Sequence, residues 1–210
     1  MEIESAVSTP SNQQENFLDQ ILNVEKNSWP PELQASREKF KSRLRIFPQG
    51  FLTVKINEKI KGVSTSQITT YDPSSQKTWD EITGNGMIKK THNPSGNALY
   101  VVSVGVSADS QGKGIGGMLI QSQIELAEKL GLKYLFLGAR IPGYDAYCKH
   151  NGDITVEDYL KKKNEKGDIY DPEIRFYDRQ GLHVVKIIPD FEPDEQSRNY
   201  GIVMLWENHS

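Results

Sequence analysis

The stretch Leu99 to Leu130, LYVVSVGVSADSQGKGIGGMLIQSQIELAEKL, constrains the fold more than any other part of this chain. Its apolar run to Val106 has the length and β-branched content of a buried strand. After a glycine-rich turn, Ile115, Leu119, Leu126 and Leu130 form one helical stripe with Ile120, Ile124 and Ala127 beside it, while Gln121, Glu125, Glu128 and Lys129 face away. Gly131 supplies the stop, and a second buried-type strand runs from Lys133 to Gly138 before Arg140. The turn between strand and helix suits an anion. Glycines let backbone approach without a Cβ in the way, and the first helical amides present unpaired N–H groups and a positive dipole end. With Lys113 adding a charge, the turn predicts a bound phosphorylated cofactor.

The rest of the chain reads as one domain, 1–210, with a helical insertion over about 143–171. Glu2 to Val7 is expected as a short strand, and Phe17, Ile21, Leu22 and Val24 as the buried side of a first helix that Trp29-Pro30-Pro31 breaks. A second helix is expected over Glu32 to Leu44. A hairpin of Gly50 to Ile56 with Lys61 to Thr70 is expected around a three-residue connection, Asn57-Glu58-Lys59. Residues 71 to 97 hold repeated turn chemistry and predict a long surface loop, a candidate wall for a second substrate, with Trp79 and Met87 stapling it. Thr155 to Asn164 is expected as the inserted helix, with Thr155 and Asp158 as a capping box. Asp171-Pro172-Glu173 starts a further helix that stops at Gly181. His183 to Ile188 and Gly201 to Glu207 form a final strand pair.

Gly112, Gly114 and Gly117 also satisfy the G-x-G-x-x-G dinucleotide fingerprint. A dinucleotide fold, however, wants an acid at the end of its second strand and further βαβ units on both sides. Here that strand ends at Arg140, and hairpin-like strands precede it. A P-loop is excluded because Lys113 lies inside the glycines with no Ser or Thr after it. Read as a whole, Gln111-Gly-Lys-Gly-Ile-Gly116 resembles the pyrophosphate loop of the GNAT superfamily of N-acetyltransferases: Gln or Arg, two residues, Gly, one residue, Gly or Ala. Phe176-Tyr-Asp-Arg-Gln-Gly-Leu182 resembles that superfamily's Tyr-x-x-x-Gly-Phe segment, with Leu182 in place of Phe. The order strand, two helices, three strands, helix, strand, helix, two strands matches as well. Arg140-Ile-Pro-Gly-Tyr144, Val156-Glu-Asp-Tyr159, Tyr170-Asp-Pro172 and the tail Asp190 to Trp206 are similar to GNAT domains fused to nitrilase-type carbon-nitrogen hydrolases. Trp29-Pro-Pro, Arg43 and Phe47-Pro-Gln-Gly50 resemble acetyltransferases of the same branch.

The resemblance implies an α+β fold of three layers, a mixed and mostly antiparallel sheet of about six or seven strands with helices on both faces. It implies acetyl-CoA as cosubstrate and a primary amine as acceptor, joined by direct attack in a ternary complex, with no metal. Residues Val104, Gly105 and Val106 would pair with the pantetheine arm, and Val106 or a neighbour would donate to the thioester oxygen. Gln111, Gly112, Lys113, Gly114, Ile115 and Gly116 would hold the pyrophosphate, and Tyr177 would protonate the departing thiolate. Lys113 would touch a phosphate or point to solvent.

The general base has no sequence signature: Glu25, Glu32, Asp80 and Glu81, then Tyr100 and Ser103, or a water chain, are the candidates. Arg140 reads either as a clamp for an acceptor carboxylate or as the partner of an acid such as Asp145 or Asp171. Tyr144, Tyr147 and Tyr159 line the acceptor pocket or pack. Cys148 and His150 lack the further ligands or orienting partner that a metal or nucleophile site needs, and His92, His183 and His209 have no metal-ligand spacing. With 25 basic and 28 acidic residues and a net charge of -3, the chain has no basic field for nucleic acid. No apolar run approaches a membrane span and the N-terminus lacks signal-peptide character, so a cytoplasmic monomer or homodimer is expected. A non-catalytic acyl-CoA-binding module and, more distantly, an NADP-binding oxidoreductase are the competing readings.

Overall fold

The computed structural model describes residues 1–6 and 14–209, so Val7, at the end of the expected first strand, lies outside the described residues. Seven strands, β1 (Glu2–Ser5), β2 (Phe51–Ile56), β3 (Lys59–Thr69), β4 (Ala98–Val106), β5 (Tyr134–Ala139), β6 (His183–Ile188) and β7 (Gly201–Glu207), share one sheet in the order β1-β2-β3-β4-β5-β7-β6. The pairs β1/β2, β2/β3, β3/β4 and β6/β7 are antiparallel. The helices are α1 (Gln14–Ser28), α2 (Arg37–Ile46), α3 (Trp79–Thr83), α4 (Ile115–Lys129), α5 (Tyr144–Asn151), α6 (Val156–Leu160) and α7 (Pro172–Asp178). Among the described residues no helix is long and apolar enough to cross a membrane. Met1–Tyr71, Thr83–Leu135 and Asn208–Ser210 make one compact unit, and Asp72–Ile82 with Phe136–Glu207 makes a second.

In the first unit the strand period of two sends neighbours to opposite faces. Phe51 turns one way, to Phe17, Leu18, Ile21, Val24 and Phe40 of α1 and α2, with its ring 5.7 Å from Phe17 and 6.0 Å from Phe40. Leu52 and Val54 turn the other way, to Ile115 and Leu119 of α4. Gly62 of β3 lies against α4: a Cβ there would collide with Ile115 Cγ2 and sit 3.1 Å from Leu119 Cδ1.

Two expectations in this unit need correction. The helix expected over Glu32 to Leu44 begins only at Arg37; Pro31–Leu33 is a separate 3₁₀ turn. The Glu25 carboxylate takes the Ala35 amide at 2.7 Å, holding the chain extended there, and Ser36 then caps α2. The β2/β3 connection has two residues, not three, because Lys59 already pairs with Ile56. Asn57 (φ 49°) and Glu58 (φ 61°) make the left-handed pair that matches strand twist in a tight hairpin.

The expected loop 71–97 carries α3 and is pinned from within. Thr78 and Glu81 cap α3 reciprocally, with Thr78 N–H on Glu81 Oε2 at 2.9 Å and Glu81 N–H on Thr78 Oγ1 at 3.3 Å. Trp79 N–H donates to Phe191 O at 3.0 Å, and Ser42 Oγ donates to Met87 O at 2.6 Å. Thr83 and Ile88 are fully buried, so this is not a surface excursion throughout.

In the second unit, one inserted helix was expected and two are present. The α5 helix spans Tyr144–Asn151 and ends at Gly152 (φ 90°), and Thr155 caps α6 by accepting the Asp158 N–H at 3.2 Å. The α6 helix stops at Leu160, short of Asn164, because the chain turns back there: Asn164 Oδ1 takes the Lys166 and Asp168 amides, and Lys163 bridges to Ile169. Phe191 packs where β5 and β7 carry glycine; a Cβ at Gly138 or Gly201 would strike its ring.

Candidate active site

The β4 strand leads straight into the glycine turn. Val104, Gly105 and Val106 pair with Ser64, Val63 and Gly62 of β3; Val104 and Val106 pack with the α4 side, while the Gly105 position approaches Ser28 at the end of α1. Ser107 N–H then reaches Lys61 O at 2.9 Å, and a single 3₁₀ turn, Ala108–Ser110, leads to Gln111. Residues 111–114 are exposed. Gly112 (φ 75°) and Gly114 (φ 81°) hold left-handed conformations with open space where a Cβ would stand.

Gly114 occupies the cap position of α4 and offers no side-chain acceptor, and no acid lies in the helix's first turn. The first amides of a fifteen-residue helix therefore face outward with no intrahelical partner, at the positive end of its dipole. Nearby charge is arranged to suit an anion. Asp109 is paired with Lys61 at 2.6 Å and accepts from Ser110 Oγ at 2.9 Å; these hydrogen bonds hold its carboxyl below the usual range. Lys113 Nζ bends back to Asp109 O at 3.0 Å and Gln111 Nε2 to Val106 O at 3.3 Å, so both side chains brace the turn.

A buried polar cluster lies on the same β3/β4 region. Arg43, 1% exposed, donates from Nε to Gly86 O (2.8 Å) and from Nη1 to Ser103 Oγ (3.1 Å) and Thr65 Oγ1 (3.2 Å). Burial brings its pKa down to about 10 against the pull of Glu25. Burial pushes the Glu25 carboxyl up, opposed by the Ala35 amide and the Arg43 charge. Two of the expected bases are thus occupied structurally: Glu25 shapes the α1/α2 connection and Glu81 caps α3. Glu32 and Asp80 are exposed, Ser103 is bonded to Arg43 and Thr65, and Tyr100 is buried.

The second unit holds Tyr177. Asp171 caps α7 through Glu173 N–H (2.9 Å) and Ile174 N–H (3.1 Å), and its other oxygen accepts Tyr159 OH at 3.0 Å. Tyr177, in the last turn of α7, is 9% exposed with its ring 4.9 Å from Phe176; Gly181 (φ 90°) then releases the chain toward β6. Arg140 is not partnered by Asp145 or Asp171. It forks onto Asp194 with Nε–Oδ2 and Nη2–Oδ1 both 2.8 Å, and also reaches Gln196. Asp145 instead pairs with Lys149 and Arg198. Glu173, at the N-terminal end of α7, accepts the Arg140 backbone N–H at 3.1 Å; burial pushes its carboxyl up to about 7, and Asp171 and Asp194 add to the rise against Arg140.

Tyr144 and Tyr159 are both buried; Tyr144 OH donates to Ile154 O at 2.6 Å, and burial pushes the Tyr144 hydroxyl up to about 12. Burial and the Asp171 carboxylate push Tyr159 up as well. Tyr147 borders a surface cleft of about 340 Å³, with His150, Asn151, Tyr170 and Arg175. Cys148 is buried and His150 Nδ1 lies 2.8 Å from Ala146 O; among the described residues no three His, Cys, Asp or Glu side chains converge as a metal site. His92 packs on Phe47, takes the Ile68 amide on Nδ1, and has its pKa lowered by burial.

A family model described as the acetyltransferase (GNAT) family matches residues 16–147, which include β4, the turn and α4. The chain belongs to this GNAT family. It is 34% identical over 205 residues to YkwB, an uncharacterized N-acetyltransferase of Bacillus subtilis (strain 168), covering 95% of this chain and 88% of that protein. It is 31% identical over 199 residues to YhcX, a probable hydrolase of the same organism, covering 94% of this chain but only 38% of that protein's length. Among solved structures, the GphF GNAT-like decarboxylase in complex with isobutyryl-CoA superposes with a TM-score of 0.81 at 22% identity, covering 99% of both chains. The α+β GNAT fold expected from the sequence, helices against a seven-stranded sheet, is thereby established.

Proposed function

We propose that the chain is a cytoplasmic acetyl-CoA-dependent N-acetyltransferase that acts as one catalytic domain on a primary amine of a small molecule. The observation that carries this reading is the uncapped N-terminus of α4 behind two left-handed glycines, with Asp109 neutralised by Lys61. Amides of Gln111 to Gly116 hold the pyrophosphate, and main-chain groups of Val104, Gly105 and Val106 pair with the pantetheine amides. An amide at Val106 or beside it polarises the thioester carbonyl. The amine attacks the carbonyl carbon while both substrates are bound, and Tyr177 gives its proton to the departing CoA sulfur. Membership of the GNAT family and the YkwB similarity support the transfer chemistry. The match to part of YhcX supports the likeness to GNAT domains joined to hydrolases, without lending this chain a hydrolase activity.

The test has two stages. Thermal melting with CoA, acetyl-CoA or NADP should show stabilisation by the first two alone; at a hundredfold excess over Kd this is about 2.7 kcal/mol, or roughly 5–10 °C. Thiol release from acetyl-CoA is then followed with putrescine, tryptamine and lysine methyl ester. Amine-stimulated release supports transfer, whereas CoA binding with no stimulated release would make the chain a binding module. The fold similarity to a GNAT-like decarboxylase favours one further assay, CO₂ release from malonyl-CoA, which the acetyltransferase reading expects to be negative.

A further inference from the structure

The cleft that Tyr147 borders lies among α5, Tyr170 and the start of α7, and its volume of about 340 Å³ falls at the small end of the range in which proteins hold small molecules. One wall is aromatic. Tyr147 and Tyr170 meet edge to face with ring centroids 5.3 Å apart, and the buried Tyr159 backs them at 5.5 and 5.8 Å. Tyr170 is nonetheless 39% exposed, an aromatic surface left to water.

The polar groups of the cleft have a definite pattern. Arg175 spends both protons of Nη1 on backbone oxygens, Ile169 O and Tyr170 O, the latter at 2.9 Å, which fixes the plane of its guanidinium. Its Nε and Nη2, the edge that meets a carboxylate with two parallel hydrogen bonds, have no acceptor among the described residues. Arg37, Arg140, Arg179 and Arg198 each hold a carboxylate, whereas Arg175 holds none among the described residues. No Asp or Glu lines the cleft, and acids on adjoining segments are engaged elsewhere: Asp145 and Asp153 by Arg198, Asp168 by Arg179, and Asp171 by the α7 cap. Lys162 Nζ stands 5.9 Å from the centroid of the Tyr147 ring and adds a second cation without an acid partner among the described residues. The α5 side offers acceptors instead. His150 Nδ1 lies 2.8 Å from Ala146 O, an atom that only accepts, so the neutral imidazole carries its proton on Nδ1 and keeps the Nε2 lone pair; Asn151 Nδ2 donates to Tyr147 O at 2.9 Å, leaving Oδ1.

We propose that this cleft is a binding site for a small aromatic carboxylate that also carries an O–H or N–H group. The carboxylate forks onto Arg175, the ring lies against Tyr147 and Tyr170, and the O–H or N–H donates to His150 Nε2 or Asn151 Oδ1. The guanidinium is already held by two backbone carbonyls, so little rotamer freedom is lost when the anion arrives. The site does not depend on the acetyltransferase reading, because no group in it handles the thioester.

The experiment is titration calorimetry together with amide NMR spectra of the full chain, using para-hydroxybenzoate and indoleacetate as ligands, with para-hydroxybenzyl alcohol and acetate as controls that lack the carboxylate and the ring. Expected are saturable binding of the two aromatic carboxylates with Kd of about 1 mM or tighter, amide shifts concentrated in 144–151 and 169–175, and no saturation by either control. Arg175→Lys keeps the charge without the fork and should weaken binding about tenfold or more. Ala146 is exposed and lines the cleft, so Ala146→Trp should fill it and abolish binding with the melting temperature unchanged. Absence of saturable binding to wild type below about 10 mM, shifts centred outside those two segments, or undiminished binding in Ala146→Trp overturns the site. Equal affinity for para-hydroxybenzoate and para-hydroxybenzyl alcohol overturns the role of Arg175 in wild type, independently of how any variant folds.

Discussion

Gly62→Ala tests whether the packing of α4 on β3 sets the position of the glycine turn. A methyl at Gly62 would press into Ile115 Cγ2 and Leu119 Cδ1, with Gly105 O 3.7 Å away. The approach to Ile115 falls roughly 1 Å short of the about 3.5 Å at which carbon atoms rest. Neither side chain has room to yield: Ile115 is 1% exposed, Leu119 is fully buried, and both pack against Leu52 and Val54. The helix itself must lift, at a cost of about 2 kcal/mol, which for a chain of this size lowers the melting temperature by about 4–8 °C. Because Ile115 is the first residue of α4, the lift moves the amides that face the turn. A misplaced charge-assisted hydrogen bond of about 1.5–3 kcal/mol should weaken CoA binding at least about tenfold. Differential scanning fluorimetry with and without CoA, and titration calorimetry, measure both effects. Ile115→Leu removes the offending Cγ2, so the double variant should recover part of the stability, a non-additive result. Unchanged melting and CoA affinity in Gly62→Ala would refute the reasoning.

Three other outcomes follow from the same geometry. Arg140→Ala strands the buried Asp194 carboxylate and should cost about 3 kcal/mol in urea unfolding without changing the acceptor KM; a raised KM at normal stability would instead make Arg140 a substrate clamp. Tyr177→Phe should lower kcat by about 10²- to 10⁴-fold with CoA affinity retained, and an unchanged kcat removes Tyr177 from the mechanism. Glu173 sits above its ordinary 4.5, at about 7, so the folded state holds its proton more tightly and stability falls as pH rises from 4.5 through 7. At about 1.4 kcal/mol per tenfold change the fall is about 3 kcal/mol, and Glu173→Gln, which cannot ionise, should lose it; a gap between the two proteins that stays constant with pH would contradict this.

What could be read in the sequence was chemistry completed within a few residues. The α4 helix was legible because Gly114, the apolar stripe and Gly131 act locally, and α7 because Asp171 caps the amides of Glu173 and Ile174, its near neighbours. The bounds of β6 and β7 came from their apolar runs. What could not be read depended on distant partners. The late start of α2 turns on a carboxylate ten residues upstream, and Arg140's partner lies 54 residues away. Arg43 draws its acceptor from 43 residues on, in the segment that looked like a surface loop. The α5 helix left a local signal that a closer reading could have used: Tyr144 and Cys148 at helical spacing, basic residues in the last turn, and Gly152 just beyond.

The same distinction divides the candidate site. The donor site proposed above is written in backbone: left-handed φ at Gly112 and Gly114 and exposed amides at the start of α4. Main-chain geometry of this kind is encoded by glycine placement over a continuous stretch, so a motif can carry it. The proton affinity of a side chain depends on something a motif does not encode, its environment. Glu173 looks in sequence like any acid in a first helical turn, with a role no grander than complementing the dipole. Its environment is set by Arg140 donating from the end of β5, by Arg140's own guanidinium turning to Asp194, and by Asp171 at the cap. Those three residues come from three separate segments, and only folding gives Glu173 a proton affinity different from that of an acid in water.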